Sequence, residues 1–191
     1  MKRKNYEKPT MKVVELQYSS QLLRYIFSLL GVKSTFATTQ PGVPTTVTLR
    51  HSGRCVPRLE YDFNNAPDLA QTFVVCCALM NVPFHFRGLS TLKIKETDRI
   101  EALKREMRKL GYVIHDANNS ELIWNGERCE PSMDAGIDTY EDHRMALAFA
   151  PAALRVKGLC INNPHVVTKS YPHFWEHLLK AGYQVEMKNE E

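Results

Sequence analysis

The sequence predicts an α/β (α+β) protein built from repeated units of a helix, short strands, a buried helix and a further strand. Three observations lead to this prediction. Helical segments stop at a glycine in the motifs LLGV, KLGY and KAGY. In the first two units, short runs rich in β-branched and aromatic residues follow that glycine, and strongly apolar helical segments follow those runs. Stacking units of this kind buries a shared core, as in other repeat architectures.

The first unit opens with a helix over 19–30, because apolar residues recur at helical spacing between a Ser-Ser start and Gly31. Alternating runs separated by Pro-Gly and Ser-Gly turns predict the strands that follow. These strands are 32–37, 46–50 and 59–63. Pro67 and Asp68 then begin a helix over 69–80 that is apolar nearly all round, which indicates burial. A strand over 82–86 completes the unit.

The second unit repeats this order of elements. Its elements are an amphipathic helix over 97–110, strands over 112–116 and 121–124, an apolar helix over 144–154 and a strand over 158–161. A third unit supplies a helix over 170–181 and one strand over 183–187. We therefore expect two units and part of a third in a single domain over residues 17–191. Residues 1–16 are an uncertain leader.

Composition is typical of an ordinary globular protein. The 191 residues carry a net charge of +4, with 43% hydrophobic and 24% charged residues, and this mild charge is weak support for nucleic-acid binding. The five cysteines form an odd set without CxxC or Cys/His ligand spacing, which favours a reduced protein without structural zinc. No apolar run has signal-peptide or membrane-spanning length. We therefore expect a cytoplasmic protein without membrane or nucleic-acid partners.

Charged residues recur where the predicted helices begin. A basic side chain at a helix N-terminus opposes the helix dipole unless an anion is bound at the same end. Equivalent positions of the repeat could bring these residues to one rim, which would bind an anion beside available carboxylates. The residues concerned are Asp68, Lys95, Glu96, Arg99, Asp142, His143, Arg144 and Lys169.

Each charged group taken alone has a simpler interpretation. The stretch KIKETDRI (93–100) has the composition of a capped and solvated helix start, in which Glu96 suits the N-terminus. Asp142 would be an N-cap, Asp68 a helix-start aspartate and Lys169 a solvated lysine. Only their coincidence at equivalent points of the repeat favours a shared site.

Four ordered segments resemble the C-terminal part of the EPSP synthase (3-phosphoshikimate 1-carboxyvinyltransferase) family. They are LEYDFNNAPDLAQTFVV, LKIKETDRIEAL, YEDHRMALAFAPAAL and VVTKSYPHFWEHL, and the resemblance runs from about Gln17 to the end. It implies a fold of two similar domains, each made of three βαββαβ units, with the active site in the cleft between them. This chain then corresponds to most of one domain, or about half of an enzyme.

The resemblance implies transfer of the enolpyruvyl group of phosphoenolpyruvate to the 5-hydroxyl of shikimate 3-phosphate, with release of phosphate. This step belongs to the shikimate pathway, which leads to chorismate and the aromatic amino acids. No metal or organic cofactor is implied. The residue types suit the chemistry, because two anionic substrates require fixed cations and the proton transfers require two acid/base groups.

The resemblance also assigns roles to single residues. Asp68 matches the carboxylate that contacts the 5-hydroxyl and is the proposed base, and Glu96 matches the proposed proton donor and acceptor at the methylene carbon. Lys95, like Asp68, matches a ligand of shikimate 3-phosphate, and His143 is a candidate supporting group. Thr91 stands where the family often has an asparagine that contacts this substrate. The residues that match phosphoenolpyruvate ligands are Arg99, Arg144 and Lys169.

The family's binding residues from the other domain have no counterpart in these 191 residues. The isolated chain is therefore expected to bind anions weakly, to show no turnover and to need the missing half as its partner. Two alternatives stay open. One is a related enolpyruvyl transferase that acts on a UDP-sugar, which the KETDR and DHRMA motifs do not fit. The other is a non-catalytic anion- or RNA-binding module, for which cations accompanied by carboxylates are poorly suited.

Overall fold

The computed structural model describes residues 19–36, 47–132, 134 and 136–187. The chain divides into two compact units, one made of residues 1–56 with 175–191 and the other of residues 57–174. No helix within the described ranges is both long and apolar enough to cross a membrane. The single domain over residues 17–191 stays a prediction.

The compact unit of residues 1–56 and 175–191 contains a helix followed by a two-stranded antiparallel sheet. Its elements are α1 (Ser19–Leu29), β1 (Val32–Phe36) and β2 (Val47–His51). Gly31 joins α1 to β1 with a φ of +83°, and a Cβ atom at this position would lie 2.9 Å from the carbonyl oxygen of Arg54. Glycine therefore suits this position for both its backbone angle and its small size. The outer ends of the two predicted strands, residues 37 and 46, lie outside the described residues.

The compact unit of residues 57–174 is centred on a four-stranded mixed sheet. Its strands are β3 (Leu59–Asp62), β4 (Phe84–Arg87), β5 (His115–Ala117) and β6 (Glu121–Trp124), in the order β3-β4-β6-β5. β3 and β4 are parallel, and the other two pairs are antiparallel. Parallel neighbours require a crossover connection. Here the crossover contains α2 (Ala70–Leu79), which confirms the predicted strand, buried helix and strand.

Aromatic side chains fill the core between this sheet and α2. Phe84 and Phe86 stack at 4.5 Å between ring centroids, and Phe63 meets Phe86 edge to face at 5.1 Å. Trp124 is buried, and its indole nitrogen donates a hydrogen bond to the carbonyl oxygen of Glu127 at 2.9 Å. These rings bury large apolar areas and make the sheet a rigid support for the helices packed on it.

Two capped helices also belong to the compact unit of residues 57–174. α3 (Arg99–Lys109) begins after Asp98, whose carboxylate accepts a hydrogen bond from the backbone nitrogen of Glu101 at 3.1 Å. α4 (His143–Phe149) begins after Asp142, whose carboxylate accepts from the backbone nitrogen of Arg144 at 2.8 Å. Both helix starts are therefore those expected of an aspartate N-cap.

The α/β fold class is confirmed, but several elements differ from prediction. The strand predicted over 112–116 is observed as β5 (His115–Ala117), with Tyr112 only in an isolated bridge, and the helix predicted over 170–181 begins at Phe174. The helix predicted over 144–154 is α-helical only to Phe149 and continues as a 3-10 helix, Ala150–Leu154, because Pro151 has no backbone N–H to donate. The strand predicted over 158–161 is wrong, since only Ile161 forms an isolated bridge. The strand predicted over 183–187 is also wrong, and the chain's last described helix is α5 (Phe174–Lys180).

Candidate active site

Three basic side chains converge on Asp68, in the short 3-10 helix Pro67–Leu69 that precedes α2. The Asp68 carboxylate lies 2.7 Å from Nη1 of Arg99, 3.5 Å from Nζ of Lys95 and 3.3 Å from Nη2 of Arg144. Arg144 also donates a hydrogen bond through Nη1 to the backbone oxygen of Asp68 at 3.3 Å. The predicted carboxylate and three of the predicted cations therefore form one ion-pair network.

Arg99 is the buried centre of this network, with only 1% of its side chain exposed. Its Nε donates to Oδ2 of Asp142 at 2.6 Å, and its Nη2 donates to Oδ1 of Asp142 at 3.2 Å and to Oε2 of Glu96 at 2.5 Å. Burial of a guanidinium is tolerated when it is paired and hydrogen-bonded, as it is here. We call Asp68, Lys95, Glu96, Arg99, Asp142 and Arg144 the Asp68 cluster.

Asp142 is a site residue that the sequence analysis did not assign to substrate or catalysis. Its side chain is fully buried and serves both as the N-cap of α4 and as the bidentate partner of Arg99. His143 approaches it with Nδ1 at 4.0 Å from Oδ1. The only signal in the sequence was an aspartate directly before two basic residues, and an ordinary N-cap gives the same signal.

Glu96 lies at the exposed side of the cluster, with 46% of its side chain accessible. A hydrogen bond from its own backbone N–H holds the pKa of Glu96 below its usual value, and the charges of Arg99 and His143 act in the same direction. Desolvation and the neighbouring Asp68 carboxylate oppose this shift. Glu96 is therefore a carboxylate at neutral pH and can accept a proton.

Two residues singled out by the sequence lie apart from these contacts. Lys169 is exposed and follows the 3-10 helix Pro164–Val167, which packs against α4. Among the hydrogen bonds and ion pairs of the described residues, none joins Lys169 to the Asp68 cluster. Thr91 is exposed in the 3-10 helix Ser90–Ile94, just before Lys95.

The cluster combines three carboxylates with three basic groups in two layers. Arg99 and Asp142 neutralise each other in the interior. Asp68, Lys95 and Arg144 each keep about a third of their side chain exposed, and Glu96 keeps more. A solvent-facing lysine and arginine can bind an anion, while adjacent carboxylates can exchange protons with it. The arrangement therefore suits acid/base chemistry on an anionic ligand.

Comparisons with known proteins show the family of the chain. Residues 13–178 match the EPSP synthase (3-phosphoshikimate 1-carboxyvinyltransferase) family. A 3-phosphoshikimate 1-carboxyvinyltransferase of Bacteroides fragilis is 54% identical over 165 residues, covering 86% of this chain and 39% of the relative. Another, from Syntrophobacter fumaroxidans, is 38% identical over 125 residues, covering 65% of this chain and 29% of the relative. The chain thus spans about two fifths of the Bacteroides relative. By these matches, the chain belongs to the EPSP synthase family.

Proposed function

We propose that this chain supplies part of a 3-phosphoshikimate 1-carboxyvinyltransferase and forms one wall of its active site. The observation that carries the proposal is the convergence of Lys95, Arg99 and Arg144 on Asp68. These side chains come from three separate segments of the chain, and each matches a functional position of the family. The curated relatives named above carry the same enzyme name.

In the proposed reaction, the enolpyruvyl group of phosphoenolpyruvate is transferred to the 5-hydroxyl of shikimate 3-phosphate and phosphate is released. Arg144 is partly exposed and binds phosphoenolpyruvate, because a guanidinium offers the paired donors that carboxylate and phosphate groups accept. Arg99 is the second ligand of this substrate, and it binds by exchanging a carboxylate partner, since its donors are paired with the three carboxylates of the Asp68 cluster. Lys169 is the third ligand of this substrate and is supplied by the segment that packs beside α4. Lys95 acts as a point charge for shikimate 3-phosphate.

Asp68 and Glu96 are proposed to carry the proton transfers. Asp68 accepts the proton of the 5-hydroxyl, and its partly exposed oxygens at the edge of the cluster are accessible to such a group. Glu96 in its protonated form gives a proton to the methylene carbon of phosphoenolpyruvate during addition, and it takes a proton back from the resulting methyl group when phosphate leaves. Arg99 contacts both carboxylates and so fixes the distance between them, while His143 supports Asp142 from the first turn of α4.

The remaining parts of the proposal concern the partners of the chain. The missing half of the enzyme supplies the opposite wall of the cleft, and the isolated chain does not turn over because its cluster stays open to solvent, where water screens the charges. The enzyme acts in the cytoplasm, without a metal or organic cofactor.

A grafted enzyme tests the proposal: the Bacteroides fragilis relative in which the matched 165 residues are replaced by those of this chain. We expect phosphate release that depends on both substrates. Asp68→Asn and Glu96→Gln should each lower kcat by about 10²-fold or more, as for other acid/base groups. Asp116→Asn is the matched control, because Asp116 pairs with Lys104 on another face of α3.

Two outcomes would contradict the proposal. One is a folded grafted enzyme that releases no phosphate from these substrates. The other is activity that falls equally in Asp68→Asn and in the Asp116→Asn control. Replacing shikimate 3-phosphate by a UDP-sugar in the same assay tests the related transferase. That alternative requires phosphate release from phosphoenolpyruvate with the UDP-sugar but not with shikimate 3-phosphate.

A further inference from the structure

Helix α3 contacts the segment before α4 at two points on one face. Its first residue, Arg99, binds Asp142. Glu106, seven residues later, binds Asp138 and Tyr140. Residues seven apart lie on the same side of an α-helix, two turns from each other. The same helix face therefore holds the segment 138–142 at both of its ends.

The contact at Glu106 is buried and fully paired. One carboxylate oxygen accepts a hydrogen bond from the hydroxyl of Tyr140 at 2.6 Å. The other accepts from the backbone nitrogen of Asp138 at 3.0 Å and lies 2.8 Å from Nζ of Lys109. A carboxylate with no exposed surface requires such partners, because burying it unpaired is strongly unfavourable. Glu106 is thus a fixed anchor for this segment.

Further polar contacts fix the same segment on its other sides. Lys109 donates to the backbone oxygen of Gly136 at 3.0 Å and to the Asp138 carboxylate at 2.8 Å. The side-chain amide of Asn162 donates to the other oxygen of Asp138 at 2.6 Å. The buried hydroxyl of Thr139 donates to the backbone oxygen of Asn162 at 3.1 Å. The chain therefore approaches Tyr140 along a defined path.

Tyr140 and Glu141 adopt an unfavourable backbone conformation immediately before the site. Both have positive φ, at 53° and 58°, and neither is a glycine. Left-handed conformations of such residues persist where surrounding contacts impose them, and they concentrate at functional sites. The turn closes with a hydrogen bond from the Asp142 nitrogen to the Thr139 oxygen at 2.9 Å. We call residues 139–142 the Tyr140 turn.

We propose that Glu106 is a positioning residue of the candidate active site. Its bonds to Tyr140 and Asp138 hold the Tyr140 turn in its left-handed conformation. The Tyr140 turn then directs the carboxylate of Asp142 at Arg99. It also leads into α4, the helix that presents Arg144 to Asp68. The effect of Glu106 on catalysis rests on the proposed function, whereas its effect on Arg99 does not.

The isolated chain tests the geometric part by NMR. The Nε–H of Arg99 is buried and donates to Asp142, so its exchange with solvent hydrogen is slow. Tyr140→Phe should speed this exchange by about tenfold, the effect of losing one buried hydrogen bond. Glu106→Leu removes both bonds to the segment 138–142 and the pair with Lys109, so it should speed the exchange more. Glu106→Gln should restore most of the protection, because an amide can accept from the Asp138 nitrogen and donate to the Tyr140 hydroxyl.

A matched control separates this effect from general loosening of α3. Asp116→Asn removes an ion pair to Lys104 on the same helix and should leave the exchange of Arg99 unchanged. If Glu106→Leu does not fold, Tyr140→Phe alone decides, since it removes a single hydroxyl. Unchanged Arg99 exchange in folded Tyr140→Phe, or equal acceleration by Asp116→Asn, would overturn the proposal.

The grafted enzyme tests the consequence for substrate binding. Misdirected Arg99 and Arg144 should raise the KM for phosphoenolpyruvate severalfold in Tyr140→Phe. A purely structural loss would lower kcat through the fraction of folded enzyme and leave KM unchanged. If the unsubstituted grafted enzyme is inactive, the proposed function fails and the exchange measurement still decides the positioning role. If the unsubstituted grafted enzyme is active and Tyr140→Phe leaves the KM for phosphoenolpyruvate unchanged, the positioning role is overturned and the proposed function stands.

Discussion

Arg99 and Asp142 form a bidentate ion pair between residues 43 positions apart in the sequence. The two bonds measure 2.6 Å and 3.2 Å, and both side chains are buried. This pair joins the first residue of α3 to the N-cap of α4. Removing either partner would leave an unpaired charge in the interior, which is far more unfavourable than losing an exposed ion pair.

Substitution of the two helix caps should separate the capping effect from that of the buried pair. Asp98→Ala removes a partly exposed cap and should lower the free energy of unfolding by about 1 kcal/mol. Asp142→Ala also leaves Arg99 unpaired and should lower it by about 3–5 kcal/mol. Urea denaturation of the isolated chain measures both values. Equal losses would show that the Arg99 pair adds nothing beyond capping.

Affinity for inorganic phosphate should respond with opposite signs to two changes in the Asp68 cluster. Asp68→Asn removes a negative charge beside Lys95 and Arg144 and should tighten phosphate binding severalfold. Arg144→Gln should weaken it. Titration calorimetry at low salt checks both, and higher ionic strength should reduce the difference. Arg58→Gln is a control that removes a cation paired with Glu60. Weaker binding by Asp68→Asn would contradict an anion site here.

The titration of Glu96 should be shifted to low pH. Its pKa is lowered from 4.5, so its contribution to stability is present above that value and is lost as the pH falls through the folded-state pKa. Side-chain ¹³C NMR of the isolated chain measures this pKa. Bound phosphate should raise it, because a second anion opposes the charge of Glu96. A pKa unmoved by saturating phosphate would place the anion elsewhere.

Gly88 should tolerate substitution worse than Gly126, although both have positive φ. A Cβ at Gly88 would collide with the Asp62 carboxylate and the Asn64 backbone, including its Cα at 2.8 Å. Among the described residues, apart from its chain neighbours, no heavy atom lies within 4 Å of a Cβ at Gly126. We expect Gly126→Ala to cost about 1–2 kcal/mol from its backbone angle alone. Gly88→Ala should cost about 3 kcal/mol or more, because overpacking adds to the strain. Thermal unfolding of the two variants gives the comparison.

Local patterns predicted the elements whose stability is decided locally. The strand Glu121–Trp124 was predicted with its observed bounds, and two of its apolar residues, Leu122 and Trp124, are buried. The start of α4 followed from the capping aspartate. The helix start near Arg99 was placed two residues early, at 97, where the chain is not yet helical. The coincidence of charged helix starts indicated the Asp68 cluster, because the fold of residues 57–174 brings these helix starts together.

Features decided by distant partners could not be predicted in the same way. Residues near Ile161 have strand-like composition, but only one of them finds a bridging partner, at Ile137. The burial of Asp142 depends on Arg99, which no spacing rule connects to it. Tyr140 and Glu141 have positive φ, which neither tyrosine nor glutamate signals in a sequence. Glu106 of α3 holds this turn. Such features follow from tertiary contacts alone.

The separations within the Asp68 cluster have a consequence for how the chain acquires its site. Hydrogen bonds in the cluster span sequence separations of 31, 43 and 76 positions. They are therefore non-local contacts, and forming them has a large cost in loop-closure entropy. A chain still lacking α4 has neither Asp142 nor Arg144 in place. Phosphate that binds only the completed cluster stabilises the native state. Such a ligand should slow unfolding without speeding folding, so binding reports on the last stage of folding.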